Sequence, residues 1–322
     1  MGALTLAITG ATGYLGREVV AQARDHGHSL HLFVRDARQV PSGWAADSAI
    51  TLHEGPLTQM TAADLAGVDA VLHLAAAMTG DDAAQETGTL APMRAVCAAI
   101  AACPAPPRLV LASSISVYGG LNAGDTVTED SPLEDMPAGR DAYTRAKLAQ
   151  EDMARALATQ TRAAVAILRI GAIWGPGRLW NGHLGVALGP LLIRMGSGGQ
   201  IPLAHVETAA AMVLRAARVT LTGLRVANVL DADLPGRATY VAALRRGGWP
   251  RAVLPVGWPV MRALSALGGL PGAPGLLRAP VQRARIMPLR YANRVTWLGD
   301  LPAPSFADAM RAALAAEGKT HD

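Results

Sequence analysis

Lysine is almost missing from this chain: of its 29 basic residues only Lys147 and Lys319 are lysine, and the rest are arginine. Arginine serves wherever a cation merely needs exposure. An internal lysine in that background marks a position that needs a compact ammonium, one whose pKa shifts and which bonds hydroxyls. Cysteine is equally scarce. Cys97 and Cys103 fit no metal spacing and make no disulfide scaffold, which leaves them as reduced packing residues. Charged residues are only 17% of the chain against 51% hydrophobic, which excludes disorder and allows a large core. No run of about twenty uninterrupted apolar residues occurs. Residues 4–9 are also too short for the apolar part of a signal peptide. The expectation is a soluble, cytoplasmic protein without a transmembrane segment or a bound metal.

The 322 residues suit one large α/β unit or two unequal lobes. Residues 3–9 form a short apolar run without alternation, the pattern of a parallel strand buried on both faces. Helical spacing follows from Tyr14 to about His26, then a second strand from Ser29 to Val34. Further strands are expected near 49–53, 69–74, 107–112, 164–170 and 223–229, with helices near 86–102, 140–160 and 206–219. Strands alternating with helices predict crossover units and a parallel sheet. Pro104, Pro106 and Pro107 stop a helix before the fifth strand. After about residue 171 glycine, proline and tryptophan crowd the chain, which reads as insertions and a lobe. Residues 304–317 read as a last helix with Ser305 as its N-cap.

Gly10, Gly13 and Gly16 sit between the first strand and the first helix, a turn that lets backbone approach a pyrophosphate at a helix N-terminus. About twenty residues later, where an acid would take the ribose of NAD, stands Arg35, followed by Asp36 and Arg38. An arginine there pairs with a 2′-phosphate, so NADP is expected. NAD is the alternative: with the strand ending one residue later, Asp36 would take the ribose. Tyr143 and Lys147 lie four apart on an expected helix and share a face. A phenol titrates near pH 10. An ammonium beside it, with an oxidised nicotinamide nearby, would lower that value and make it a usable acid or base for a carbonyl oxygen. Ser114, in the serine-rich segment after the fifth strand, could hold that oxygen. With five tyrosines and two lysines in the chain, the tyrosine–lysine spacing is unlikely to arise by chance.

TGATGYLG at 9–16, VLHLAA at 71–76, SSISVYG at 113–119, YTRAK at 143–147, LRIGAIWGPG at 168–177 and HVETAAAM at 205–212 stand in one order. Over about residues 4–230 the chain resembles the extended short-chain dehydrogenase/reductase family, the epimerase/dehydratase type. The resemblance implies a Rossmann-type α/β fold, a doubly wound parallel sheet with a smaller C-terminal substrate-binding lobe. Residues 1–170 would form the dinucleotide-binding core, completed by about 202–230. Residues 171–201 and 231–303 would form the substrate-binding insertions and lobe, and 304–322 the terminal helix and tail. It implies Ser114, Tyr143 and Lys147 as the catalytic triad. Cofactor contacts would come from Gly10, Thr12, Gly13, Gly16, Arg35, Arg38 and Leu57, from the backbone of Tyr14 and Leu15, and from Tyr143 and Lys147. Leu74, Ala75 and Ala76 would line the cofactor, with Gly171 and Ile173 near the nicotinamide amide. By the same analogy helices 86–102 and 140–160 would form the face of a homodimer. The chain departs from the family at Gly55-Pro56, where Gly-Asp is usual, at Ala172, where nucleotide-sugar members carry asparagine, and at Thr208. The segment Gln85–Thr89 matches loosely, and no asparagine joins the triad.

Between Leu234 and Gly299 lie ten arginines and no acidic residue, with Trp249, Trp258 and Trp297. Such a lobe suits an amphipathic or anionic small molecule, with Arg245, Arg246, Arg283 and Arg285 as candidates; a solvated surface and a membrane-facing patch are the alternatives. No nucleic-acid motif accompanies it. His73 reads as a packed core residue, His183 as a loop residue near substrate, and Asp81-Asp82 as solvated. The expected activity is hydride transfer between NADP and a carbonyl or alcohol carbon of a hydrophobic or amphipathic molecule. The alternatives are a nucleotide-sugar epimerase or dehydratase using the same tyrosine–lysine pair, and a catalytically silent NADP-binding sensor.

Overall fold

The computed structural model describes residues 2–270, 277–299, 301 and 303–318; Lys319 and the rest of the tail lie outside the described residues. Seven parallel strands form the central sheet: β1 (Thr5–Thr9), β2 (Ser29–Val34), β3 (Ile50–Glu54), β4 (Ala70–His73), β5 (Arg108–Ser114), β6 (Val165–Ile170) and β7 (Leu224–Val229). Their spatial order is β7-β6-β5-β4-β1-β2-β3, so this is the doubly wound fold expected. The unalternating strands are buried on both faces, as β6 shows with all six residues buried.

Helices α1 (Tyr14–Asp25), α2 (Ala91–Ala101), α3 (Ala142–Gln160) and α4 (Val206–Arg218) cover the sheet. Leu15, Val19, Val20 and Ala23 of α1 pack with Ala209, Val213 and Leu214 of α4 against one face. Met93, Val96 and Ile100 of α2 pack with Ala154 and Leu157 of α3 against the other. Asp141 caps α3, its carboxylate accepting the Thr144 N–H at 2.9 Å. A third core lies in the lobe, where Trp174, Leu192 and Leu203 meet Tyr240 and Leu244 of α5 (Arg237–Arg245) and Phe306 and Met310 of α6 (Phe306–Ala316). Ser305 caps α6, its hydroxyl accepting the Asp308 N–H at 3.2 Å. The lobe also holds a three-stranded sheet in which residues 191–195 pair with 185–188 and with 252–256.

Candidate active site

Gly10, Arg35, Gly55, Leu74, Ser114 and Gly171 all stand at the carboxyl ends of strands β1 to β6. The order reverses between β1 and β4, and ligands of such sheets bind in the crevice there. A cavity of about 1840 Å³ occupies that crevice. Pockets for one small molecule are roughly 300–1,000 Å³, so this one has room for a dinucleotide and a substrate together. With one exception, every residue expected at the chemistry or the cofactor lines it: Gly10, Thr12, Gly13, Tyr14, Leu15 and Gly16 of the glycine turn, then Arg35, Leu57, Leu74, Ala75, Ala76, Ser114, Tyr143, Lys147, Gly171 and Ile173. Arg38 is the exception. It turns outward and makes a two-pronged ion pair with Asp36, at 2.9 and 3.0 Å. These bonds, the Arg38 backbone N–H and Gln39 hold the Asp36 carboxyl down at about 2. Asp36 is thus committed to its own turn, and the exposed Arg35 faces the cavity.

The tightness of the turn itself requires its glycines. Gly10 has φ +72°, and a Cβ there would stand 2.8 Å from the Ala75 backbone nitrogen. A Cβ on Gly16 would stand 2.1 Å from the Gly10 carbonyl. Helix α1 has no acidic residue in its first turn and no capping side chain, so its N–H groups and dipole remain available to an anion. Where the usual acid after β3 is Pro56, the cavity wall is Gly55, Pro56, Leu57 and Thr58.

The two serines ending β5 point opposite ways, as alternation on a strand requires. Ser113 donates to the buried Glu151 carboxylate at 2.7 Å, whereas Ser114 accepts the Ser116 N–H at 3.2 Å and lines the cavity beside Tyr143. Burial pushes the Tyr143 phenol above its ordinary value, outweighing the lowering by Ser114, and Asp141 adds to the rise. The sequence reading has Lys147 lowering that value, but the chain alone does not achieve it. The Lys147 ammonium lies 5.8 Å from the tyrosine ring centre and donates elsewhere, to the Ala112 carbonyl at 2.7 Å and Gln150 Oε1 at 3.0 Å. Burial draws Lys147 down to about 8, Glu151 opposing.

Gln150 was not legible as a site residue. Its Oε1 faces an ammonium, so its amide nitrogen donates to His73 Nε2 at 3.2 Å. His73 therefore carries its proton on Nδ1, toward the Thr9 hydroxyl at 2.9 Å. Burial first and Lys147 second pull His73 to about 3, so the ring is neutral. It is the packed, hydrogen-bonded core residue expected, but it ends a polar chain that steadies Lys147. The loosely matching segment has another duty: the Gln85 amide donates to the Ala77 carbonyl at 3.0 Å, and Thr89 accepts the Ala77 N–H at 2.9 Å. These bonds pin the loop after β4 along the cavity.

Of the lobe candidates, Arg283 and Arg285 line the cavity, and Arg245 and Arg246 do not. His183 lines it too, its Nδ1 3.2 Å from the Arg285 carbonyl; burial first, then Arg237 and Arg285, lower it to about 3. Asp81 caps a short helix and Asp82 pairs with Arg145, and among the described residues no acidic or histidine cluster could hold a metal. Cys97 and Cys103 are free.

Residues 6–218 match the model of the NAD dependent epimerase/dehydratase family, and the chain belongs to that family. It is 27% identical over 278 residues to a 3-diazoavenalumate denitrifying reductase from a Streptomyces species, covering 81% of this chain and 90% of the relative. It is also 27% identical over 184 residues to a dTDP-6-deoxy-L-talose 4-dehydrogenase (NAD(P)(+)) from Kitasatospora kifunensis, covering 56% of each. The fold superimposes on MoeE5 in complex with UDP-glucose and NAD with a TM-score of 0.70, at 20% identity over 98% of this chain and 99% of that one.

Proposed function

We propose that this member of the epimerase/dehydratase family is an NADP-dependent oxidoreductase acting on a carbonyl or alcohol carbon of a hydrophobic or amphipathic molecule. The observation that carries the reading is the gathering of Ser114, Tyr143 and buried Lys147, its ammonium 5.8 Å from the tyrosine ring centre, in the cavity that begins at the glycine turn. Gly10 to Gly16 would hold the pyrophosphate, Arg35 the 2′-phosphate, and Lys147 the nicotinamide ribose. When bound, the nicotinamide supplies or takes up the hydride. Ser114 holds the substrate oxygen, and Tyr143 gives that oxygen a proton or removes one. Lys147 keeps positive charge beside the phenol. The names of the two relatives above, a reductase and a dehydrogenase, agree with net redox chemistry.

The test is consumption of NADPH by the purified protein against a panel of aromatic, aliphatic and carboxylated carbonyl compounds. Turnover with at least one class supports the reading. Tightly retained NAD with no net oxidation or reduction would replace it with internal epimerisation or dehydration of a nucleotide sugar.

Cofactor choice is testable before any substrate is known. Charge-assisted hydrogen bonds from Arg35 to a 2′-phosphate contribute about 1.5–3 kcal/mol each. NADPH is therefore expected to bind on the order of tenfold to a hundredfold tighter than NADH, and Arg35→Ala to close most of the gap. Titration calorimetry with both cofactors decides it, and equal or tighter NADH binding contradicts the assignment. For the substrate, Arg283→Ala is expected to raise KM several-fold with little change in kcat, because a charge contact away from the reacting carbon acts on ground and transition states alike. Arg245→Ala should leave KM unmoved; the reverse ranking would place the substrate elsewhere.

A further inference from the structure

Arg237, the first residue of α5, is buried at 4% exposure, and its guanidinium nitrogens donate to main-chain carbonyls: Nε to His183 at 3.0 Å, Nη1 to Gly198 at 3.0 Å and Nη2 to Arg285 at 2.8 Å. It forms no ion pair among the described residues. Carbonyls solvate a cation without cancelling its charge, and a buried charge with no counter-ion is costly. Its neighbours add to that charge. Burial draws the Arg237 pKa down; the Tyr291 phenol opposes, and Arg194 lowers it further. Burial, then Arg237 and Arg285, keep the His183 ring neutral. The stretches that supply these residues, 171–201 and 234–299, contain twelve arginines and no acidic residue. Of the carboxylates along the cavity, Glu134 pairs with Arg140, Asp141 caps α3 and Asp135 is exposed; none pairs with an arginine of the lobe.

The cavity reaches this cationic corner. His183, Arg283, Arg285 and Tyr291 all line it. Residues 290–291 pair with 126–127, which sets the Tyr291 ring against the cluster of Tyr118, Val127, Met287 and Leu289. These four line the cavity too, and Tyr118 lies just past Ser114 in the chain. An apolar wall therefore runs from the proposed chemistry to Tyr291. The Tyr118 hydroxyl is spent on Asn228 at 2.6 Å. At the far end the Tyr291 hydroxyl makes no hydrogen bond, and Arg283 and Arg285 form no ion pair, among the described residues. Apolar walls that end in a few unsatisfied donors suit an amphipathic ligand with an anionic end.

We infer that this corner receives the carboxylate of the substrate, an inference that rests on the oxidoreductase reading above. The substrate is then an amphipathic carboxylic acid. Its apolar body lies along Tyr118, Val127, Met287 and Leu289, and its carbonyl or alcohol carbon reaches Ser114 and Tyr143. A carboxylate fits better than the diphosphate of a nucleotide sugar, because the wall leading to the arginines offers no free hydroxyl. The test is calorimetric titration of the full-length protein, at saturating NADPH or NAD, with octanoate, octanamide and uridine diphosphate. Octanoate should bind at least tenfold tighter than octanamide, and uridine diphosphate more weakly than octanoate. Arg283→Gln with Arg285→Gln should weaken octanoate about tenfold or more, the loss of hydrogen bonds to a charged group. Tyr291→Phe should weaken it several-fold. Both variants should leave octanamide unchanged, whereas a merely structural role would move the two probes alike. Arg245→Gln should affect neither. Arg237 holds three carbonyls and its removal would threaten the fold, so the exposed arginines and Tyr291 carry the test. No octanoate binding, binding equal to that of octanamide, octanoate binding unmoved by the substitutions, or tighter binding of uridine diphosphate would overturn the inference. No turnover enters the measurement. Octanoate bound as expected by a protein that reduces no carbonyl compound would remove the oxidoreductase reading and keep the carboxylate subsite; NADPH turnover without the octanoate preference would do the reverse.

Discussion

Tyr143→Phe is expected to lower turnover by roughly 10²–10⁴-fold, the usual loss on removing a positioned acid or base, while NADPH binds almost as before. The phenol sits against Ser114 and is buried enough to hold its proton firmly. Proton exchange with substrate therefore depends on positive charge brought close to it. Lys147 is the available source, and its slot is narrow: the ammonium donates to Ala112 and Gln150 at 2.7 and 3.0 Å. Lys147→Arg should also damage turnover although it keeps the charge, because a planar guanidinium cannot occupy that slot as a single donor. Turnover assays with calorimetric cofactor titration test both variants. Near-normal rates in Tyr143→Phe would remove Tyr143 from the chemistry.

The largest effect on stability is expected from Arg169→Leu, a loss of about 3–5 kcal/mol, as when one partner of a buried ion pair is removed. Arg169 donates to the two Glu151 oxygens at 3.0 and 2.8 Å, and Ser113 donates to one of them. Both side chains are almost fully buried, at 3% and 1% exposure. Burial alone would raise the Glu151 carboxyl, but the Arg169 bonds and charge outweigh it and hold it below the ordinary range. A depressed folded pKa means that the stabilisation is present above the unfolded value and is lost as pH falls through the folded one. In Arg169→Leu burial is left unopposed by that cation and the folded pKa rises instead. The deficit should then be greatest near neutrality and shrink as pH falls toward the ordinary carboxylate range. Urea unfolding at several pH values measures this; a loss within about 1 kcal/mol at neutral pH would show the pair to be dispensable. Glu151→Gln with Arg169→Met should be milder than the single change, since no buried charge is left alone.

Much of this molecule was legible from residues adjacent in the chain. An apolar run ending in a glycine turn and the i, i+4 spacing of Tyr143 and Lys147 are local requirements of strand, turn and helix. They placed the core strands to within a few residues and brought all but one of the residues expected at the chemistry or the cofactor to one cavity. Arg38 failed because spacing along the chain does not say which of two neighbouring side chains pairs locally. Its guanidinium satisfied Asp36, and the same bond released the cleft to Arg35.

What tertiary structure alone decided involves partners distant in sequence. Which serine of the pair faces Tyr143 depended on Glu151, 38 residues from Ser113. The support of Lys147 runs through Gln150 to His73, 77 residues away, and in the chain alone burial holds the phenol above its ordinary value. Sequence by itself determined the family and the parallel sheet and singled out the proposed reacting groups, because backbone sterics and hydrophobic periodicity act over a few residues. The protonation states and the hydrogen-bond chain were settled by the fold, because desolvation and pairing depend on what the finished packing places within a few ångströms.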